Sequence, residues 1–278
     1  GMKAFEYYAP AALEEAFDLL DRFEAEGKLL NGGTDVVIQL REKLIAPKAV
    51  IDIKRIPGLR GIAYDPEHGL TIGACVTMNE LGNEALVCTH YPTLAKAALS
   101  VGSKQVRNRA TCAGNLINAS PLADTATPLL AYGASVVAVS REGEREIPLD
   151  EFFVFVRKTS LRPGEIVTAV RVPAIPGANG VFTKISRRRE VDLSTLCATV
   201  LKTGEGWRVA YGSVAPTPIR LRQTEALLDA QPLTEERITR AVELARSEIS
   251  PISDVRASQE YRLEVAGVVL ERSLRALM

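Results

Sequence analysis

Asn31-Gly32-Gly33-Thr34-Asp35 follows the short apolar run Lys28-Leu29-Leu30 and precedes Val37, Leu40 and Leu44, which share one helical face. The order reads as strand, glycine turn, helix. Two adjacent glycines let backbone N–H groups approach a ligand with no Cβ in the way. Thr34 and Asp35 can cap the helix, and the positive end of its dipole favours a phosphate oxyanion. The run is neither G-x-x-x-x-G-K-[ST] nor G-x-G-x-x-G, so those two nucleotide folds are not supported. An ordinary strand–helix turn is the competing reading.

A second segment runs from Val106 through Arg107-Asn108-Arg109-Ala110-Thr111-Cys112-Ala113-Gly114-Asn115 to Ala119-Ser120-Pro121-Leu122-Ala123-Asp124. It is dense in small donors: Thr111, Asn115, Asn118 and Ser120. Gly114 permits close approach, and Asp124 is a lone carboxylate. Hydroxyl and amide side chains suit the sugar and phosphate oxygens of a nucleotide, and a carboxylate can accept from two vicinal hydroxyls. A polar surface loop is the alternative. A loop-rich stretch as long as residues 101–128 inside a compact domain is usually functional.

Composition excludes other chemistry. The 278 residues carry 34 Lys+Arg and 34 Asp+Glu, so zero net charge leaves no footprint for nucleic acid or an anionic membrane. There are only 2 His, His68 and His90, and 4 Cys, Cys75, Cys88, Cys112 and Cys197. None forms C-x-x-C or a pair at metal-ligand spacing. A zinc site, an iron–sulfur cluster or a haem held by this chain alone is therefore not expected. Redox chemistry would need an organic cofactor or a partner. The scattered cysteines make no disulfide framework and read as small buried apolar residues. No apolar run reaches about 18 residues, so no membrane span is expected. Gly1 to Phe5 lacks the apolar run of a signal peptide, Gly1 reads as a scar of tag removal, and the cytoplasm is the expected location.

The elements that must carry the two segments follow from patterning. Leu13, Phe17 and Leu20 predict a helix over 13–23, and Ala49 to Ile53 a buried strand, so residues 1–57 form a small α/β unit. Residues 58–176 form a second unit. Its strands are Leu70 to Ala74, Ser135 to Val139 and Ile166 to Val172, its helix Thr93 to Leu99 behind Pro92, and its hairpin turn lies at Arg141 to Glu144. Pro173 to Gly180 is the linker candidate. Residues 177–278 form a third unit, with strands at 181–186, 193–201 and 207–212 and helices at 221–230, 234–249 and 258–277.

Taken together, the two segments resemble the FAD-binding subunit of the molybdenum hydroxylases, the xanthine dehydrogenase and carbon monoxide dehydrogenase type. Gly32-Gly33-Thr34-Asp35 fills the family's first flavin loop. Arg107 to Asn115 and Ala119 to Asp124 follow its second, with Cys112 in place of an aliphatic residue and Ala113 in place of a glycine. Ala210 to Arg220 and Ile252 to Arg262 resemble the family's C-terminal domain, so the likeness covers nearly the whole chain. It is nearest in look to the separate FAD subunit of bacterial xanthine dehydrogenases.

The resemblance implies an α+β fold. A two-subdomain FAD-binding domain of the vanillyl-alcohol oxidase/p-cresol hydroxylase type is followed by a smaller C-terminal α+β domain, an antiparallel sheet plus helices. It implies that Leu29, Leu30, Asn31, Gly32, Gly33, Thr34, Asp35 and Val36 wrap the FAD pyrophosphate. Thr111, Gly114, Asn115, Ile117, Asn118, Ala123 and Asp124 address its phosphates and hydroxyls. Val101, Gly102, Ile166, Val167 and Lys184 lie near the flavin. Arg187 to Asp192 matches a loop that tunes the flavin in relatives. Some members of the wider class hold flavin through His; none lies near these segments, so FAD is expected to be non-covalent.

No side chain here is expected to act as general acid or base. The molybdenum cofactor and 2Fe-2S clusters are expected on a large and a small partner subunit, in a heterotrimer or a dimer of heterotrimers, with NAD or another acceptor receiving electrons. The alternatives are a stand-alone FAD-dependent oxidoreductase and a non-enzymatic scaffold whose FAD site has decayed.

Overall fold

The computed structural model describes residues 4–31, 47–119, 123–185, 196–249 and 256–278, with the backbone alone over 256–258. The turn Gly32 to Val36, the helix expected over Val37 to Leu44, Ser120 to Leu122, Arg187 to Asp192 and Ile252 to Val255 lie outside these residues.

Strand β1 (Glu6–Tyr8) leads into α1 (Leu13–Phe23). Ala16, Phe17 and Leu19 of α1 turn inward, while Glu14 and Glu15 in the first turn and Arg22 in the last complement the helix dipole. β2 (Gly27–Leu30) and β3 (Ala49–Asp52) complete a parallel sheet of order β1-β3-β2. Every residue of β3 is buried, as a central parallel strand requires.

A second sheet is antiparallel. β4 (Ile62–Asp65) pairs β5 (Gly69–Gly73). Four helices follow: α2 (Met78–Asn83), α3 (Ala85–His90), α4 (Pro92–Leu99) and α5 (Lys104–Arg107). Next come α6 (Cys112–Ile117) and α7 (Ala126–Tyr132), the latter buried throughout. β6 (Ser135–Ser140) and β7 (Gly143–Pro148) form a hairpin, α8 (Leu149–Phe152) and the small hairpin β8 (Phe153–Phe155) and β9 (Lys158–Thr159) follow, and β10 (Ile166–Val172) inserts to give the order β4-β5-β10-β6-β7.

At the β6–β7 turn, Arg141 reaches Glu14, Asp18 and Asp21 of α1, fastening the first sheet's helix to the second sheet. The loop-rich reading of residues 101–128 is corrected here: the stretch is broken into α5, α6 and the start of α7. Ser103 and Thr111 act as N-caps by accepting from Val106 N and Gly114 N, so these turn-type residues start helices. The α2 helix was likewise hidden; its capping box, Thr77 with Glu80, is the signal that marks it.

The third sheet has the order β11 (Asn179–Ile185), β12 (Leu196–Thr203), β13 (Gly206–Gly212), β14 (Ile219–Arg220), all antiparallel. The helices α9 (Arg222–Asp229), α10 (Glu235–Glu248) and α11 (Arg256–Ala276) follow. β12 is buried on both faces. Leu196, Ala198 and Val200 join Val209, Tyr211 and the C-terminal helices in one core. On the other face Leu201, with Ala210 of β13, enters the core built around α4, α6 and α7. Thr199 Oγ1 meets Thr127 Oγ1 of α7 at 3.0 Å, both fully buried. This sheet therefore separates two helical layers and brings β11 and β12 against the second candidate segment.

Candidate functional site

β2 ends at Leu30, which packs on Val50 of β3, and Leu29 lies against the core beneath α1. Asn31 follows at the carboxyl end of the parallel sheet. It is buried, and its Oδ1 has no hydrogen-bond partner among the described residues. An unsatisfied buried acceptor costs about 1–3 kcal/mol, so such an atom asks for a donor. A Cβ added to Gly114 would stand 3.8 Å from Asn31 Cβ. The end of the first segment and the middle of the second therefore lie side by side.

The second segment is shaped by its own polar side chains. Thr111 Oγ1 accepts from Gly114 N at 2.9 Å, and a Cβ on Gly114 would come within 2.8 Å of that oxygen. Ala113 sits inside α6 with right-handed geometry; the positive φ of this stretch falls at Ala119 instead, at 49°. Ala113 is thus compatible with its position. Cys112 is wholly buried, and burial pushes its thiol up to about 12, so it is an inert packing group. Asn115 Oδ1 accepts from Thr125 Oγ1 at 3.0 Å. Asn118 Oδ1 accepts from Arg157 Nη1 at 3.1 Å, and Arg157 N donates to Ala119 O at 2.9 Å. Ile117 is half-buried against the same core that takes in Ala123.

Asp124 is the electrostatic centre. It is 7% exposed. Lys184 Nζ of β11 meets its Oδ2 at 3.0 Å and also donates to Ser100 O at 3.0 Å. Both carboxylate oxygens meet donors of this chain, because Cys197 Sγ of β12 reaches Oδ1 at 3.3 Å. The Ser100 carbonyl links the pair to Val101 and Gly102, whose own carbonyls accept from Arg107 Nη1 at 3.3 and 3.0 Å. Gly102 has φ +43°, a turn that a side chain rarely adopts.

Ile166 and Val167 are adjacent on β10 but serve different cores. Ile166 packs with Phe17, Ile53 and Cys75 under the parallel sheet, and Val167 joins Cys112, Ala113 and Leu116 of α6. The structure thus gathers Asn31, Val101, Gly102, Thr111 to Asn118, Ala123, Asp124 and Lys184 around one seam, with Val167 beneath it and Ile166 set away from it. Sequence reasoning passed over Ser100, Thr125, Arg157 and Cys197. Thr125 follows Asp124 in the second segment, which was the available signal there; β12 is buried on both faces, so its pattern does not single out Cys197. Three of the four cysteines are buried, and Cys88 is exposed. His90 is exposed and stacks on Tyr64 at 4.0 Å. Among the described residues no group of His, Cys, Asp and Glu could hold a metal ion, and no helix is long and apolar enough to cross a membrane.

Comparison with known proteins gives the seam a context. Residues 3–175 match a family model described as the FAD binding domain in molybdopterin dehydrogenase, and residues 182–277 one described as the CO dehydrogenase flavoprotein C-terminal domain. The chain is 35% identical to a putative xanthine dehydrogenase FAD-binding subunit of Escherichia coli (strain K12), over 93% of this chain and 91% of that protein. It is 33% identical to the carbon monoxide dehydrogenase medium chain of Hydrogenophaga pseudoflava, over 98% and 96%. The solved carbon monoxide dehydrogenase of Hydrogenophaga pseudoflava superposes with a TM-score of 0.91 at 32% identity, covering 99% of this chain and 98% of that one. Quinoline 2-oxidoreductase of Pseudomonas putida 86 gives a TM-score of 0.89 at 26% identity, over 98% and 96%.

Proposed function

Because this chain belongs to the FAD-binding subunits of the molybdenum hydroxylase family, we propose that it is the electron-transfer subunit of a molybdenum-dependent hydroxylase or dehydrogenase, working with a large molybdenum-cofactor subunit and a small iron–sulfur subunit. Its cofactor is FAD. The observation that carries the reading is the buried Asn31 Oδ1, without a hydrogen-bond partner among the described residues, lying beside Gly114 of α6, where a Cβ would crowd Thr111 Oγ1. That pair makes a cradle for a donor-bearing group pressed close to backbone, which a dinucleotide's hydroxylated chain supplies.

Bound FAD supplies two-electron redox chemistry, which in this proposal connects iron–sulfur clusters on the small subunit with NAD or another acceptor. The chain's own residues bind and orient. The Leu29 to Val36 segment holds the pyrophosphate, Thr111, Asn115 and Asn118 set the polar wall, and Asp124 with Lys184 places a fixed ion pair beside the Val101-Gly102 turn. Val167 supplies apolar backing from β10, while Ile166 packs under the parallel sheet. The division at residues 57 and 176 is part of the proposal; its support is that each of the three larger sheets draws all its strands from one of these segments. A cytoplasmic location is proposed on the four free thiols, which suit a reducing compartment.

Two measurements test this. The purified chain should show the visible absorption of a flavin, and acid release should yield FAD rather than FMN. Tagged chain drawn from its native cells should bring down a molybdenum-containing large subunit and an iron–sulfur small subunit. A colourless protein that refuses FAD would favour a decayed scaffold, although Ala113 and Cys112, the two departures from the family pattern, are both well packed in α6. A flavoprotein that turns over alone, without partners, would favour the stand-alone oxidoreductase.

A further inference from the structure

Cys197 plays no part in the reading above, yet it touches the carboxylate at the centre of the site. It stands on β12 directly across from Lys184 on β11, so both side chains leave the same face of the sheet. From that face Cys197 Sγ reaches Asp124 Oδ1 at 3.3 Å while Lys184 Nζ holds Oδ2 at 3.0 Å. Ala97 and Phe182 close an apolar shell around the thiol, leaving it 1% exposed. Burial, and then the neighbouring Asp124 charge, push the thiol well above its ordinary range. It stays protonated and acts as a donor. A neutral thiol is a weak donor, but one facing a carboxylate is strengthened by the acceptor's charge.

We infer that Cys197 is a positioning residue for the FAD cofactor, acting through Asp124. The inference rests on the site proposed above. Its physical basis is torsional: the terminal torsion of an aspartate is broad and roughly two-fold, so donors on both oxygens restrain the carboxylate plane more than donors on one. Cys197 Sγ adds such a restraint at Oδ1, opposite the Lys184 contact at Oδ2. Both donors come from the C-terminal sheet, whereas Asp124 and the rest of the polar wall come from the preceding units. The C-terminal unit thereby sets the orientation of a carboxylate that it does not itself carry.

The test uses the full chain in four forms beside the wild type: Cys197→Val, Cys197→Ser, Asp124→Asn and the double variant Cys197→Val with Asp124→Asn. FAD affinity is read by fluorescence titration of the apoprotein, and the melting of each apoprotein is recorded as a control. Valine is close to cysteine in volume but cannot donate; it should weaken FAD about tenfold, and serine should recover most of that, to within about threefold of wild type. In the Asp124→Asn background, Cys197→Val should cost no further affinity, because the two residues act as one unit. Serine as weak as valine, or a valine effect that persists undiminished beside Asp124→Asn, overturns the inference. Wild type that binds no FAD overturns the site itself; wild type that binds FAD with an unaffected Cys197→Val variant overturns only the role of Cys197.

Discussion

Replacing Gly114 by alanine separates the folding role of this position from its cofactor role. A methyl group there lands 2.8 Å from Thr111 Oγ1, inside the 3.4 Å at which ordinary contact begins. Thr111 must rotate away, and its 2.9 Å cap to Gly114 N is lost. Losing a threonine cap costs about 1 kcal/mol. Against this, alanine in a helix is favoured over glycine by about 1 kcal/mol. The two effects nearly cancel, so apoprotein stability in urea should stay within roughly 0.5 kcal/mol of wild type. The cradle does not share in that cancellation. The methyl projects toward Asn31, whose side chain lies 3.8 Å away, and the displaced threonine disturbs the polar wall. FAD affinity should fall about tenfold or more, equivalent to roughly 1.4 kcal/mol. Unfolding of the apoprotein and fluorescence titration with FAD measure the two quantities separately. A Gly114→Ala protein that binds FAD as tightly as wild type would refute the cradle, and one that loses stability and affinity in parallel would show that α6 had simply come apart.

Asp124→Ala should weaken FAD retention, measured as flavin lost during gel filtration; undiminished retention removes the carboxylate from the site. Lys184→Met leaves the buried Asp124 without its ammonium partner, and should cost roughly 3 kcal/mol in urea unfolding of the apoprotein, the lower end for such pairs because Lys184 is partly exposed; wild-type stability in the variant would count against the ion pair. Arg145 forks Glu165 at 2.7 and 2.8 Å, and these hydrogen bonds hold the Glu165 carboxyl below the usual 4.5 against the opposing pull of burial. A carboxyl depressed in the folded state stabilises at pH above its unfolded value, and that contribution disappears as pH falls through the folded one. Glu165→Gln should therefore be destabilising at neutral pH, with the gap to wild type closing below about pH 4.5; a gap that stays constant down to pH 3 would refute the pairing.

The periodic segments were the legible ones. Leu13–Phe23 and Ile166–Val172 have in the structure the same bounds that patterning set, because one buried face and clear end signals determine them. Three of the third sheet's four strands were legible for the same reason, while the fourth, the two-residue β14, is too short to carry a pattern. Residues 101–128 were not, since Ser103 and Thr111 look like loop residues until their side chains are seen closing helix ends. The site divides in the same way. Asp124 and Lys184 could be named from family motifs, but their ion pair could not, because it depends on how β11 lies against the end of α4. Cys197 was read only as packing, since nothing local to residue 197 points to a carboxylate 73 positions earlier in the chain.

Common ancestry and cooperative unfolding draw different lines through this chain. The two matched families abut near residues 176–181, but Leu201 and Ala210 lie in the core of the preceding unit, and Thr199 closes on Thr127 at its centre. A fragment cut at that seam would leave α7 with a bare apolar flank and a buried hydroxyl facing water. The two inherited modules should therefore share one thermal transition in calorimetry rather than melt in turn. Swapping a C-terminal module from a relative requires matching the inward residues of its sheet to α4 and α7, not merely joining at the linker.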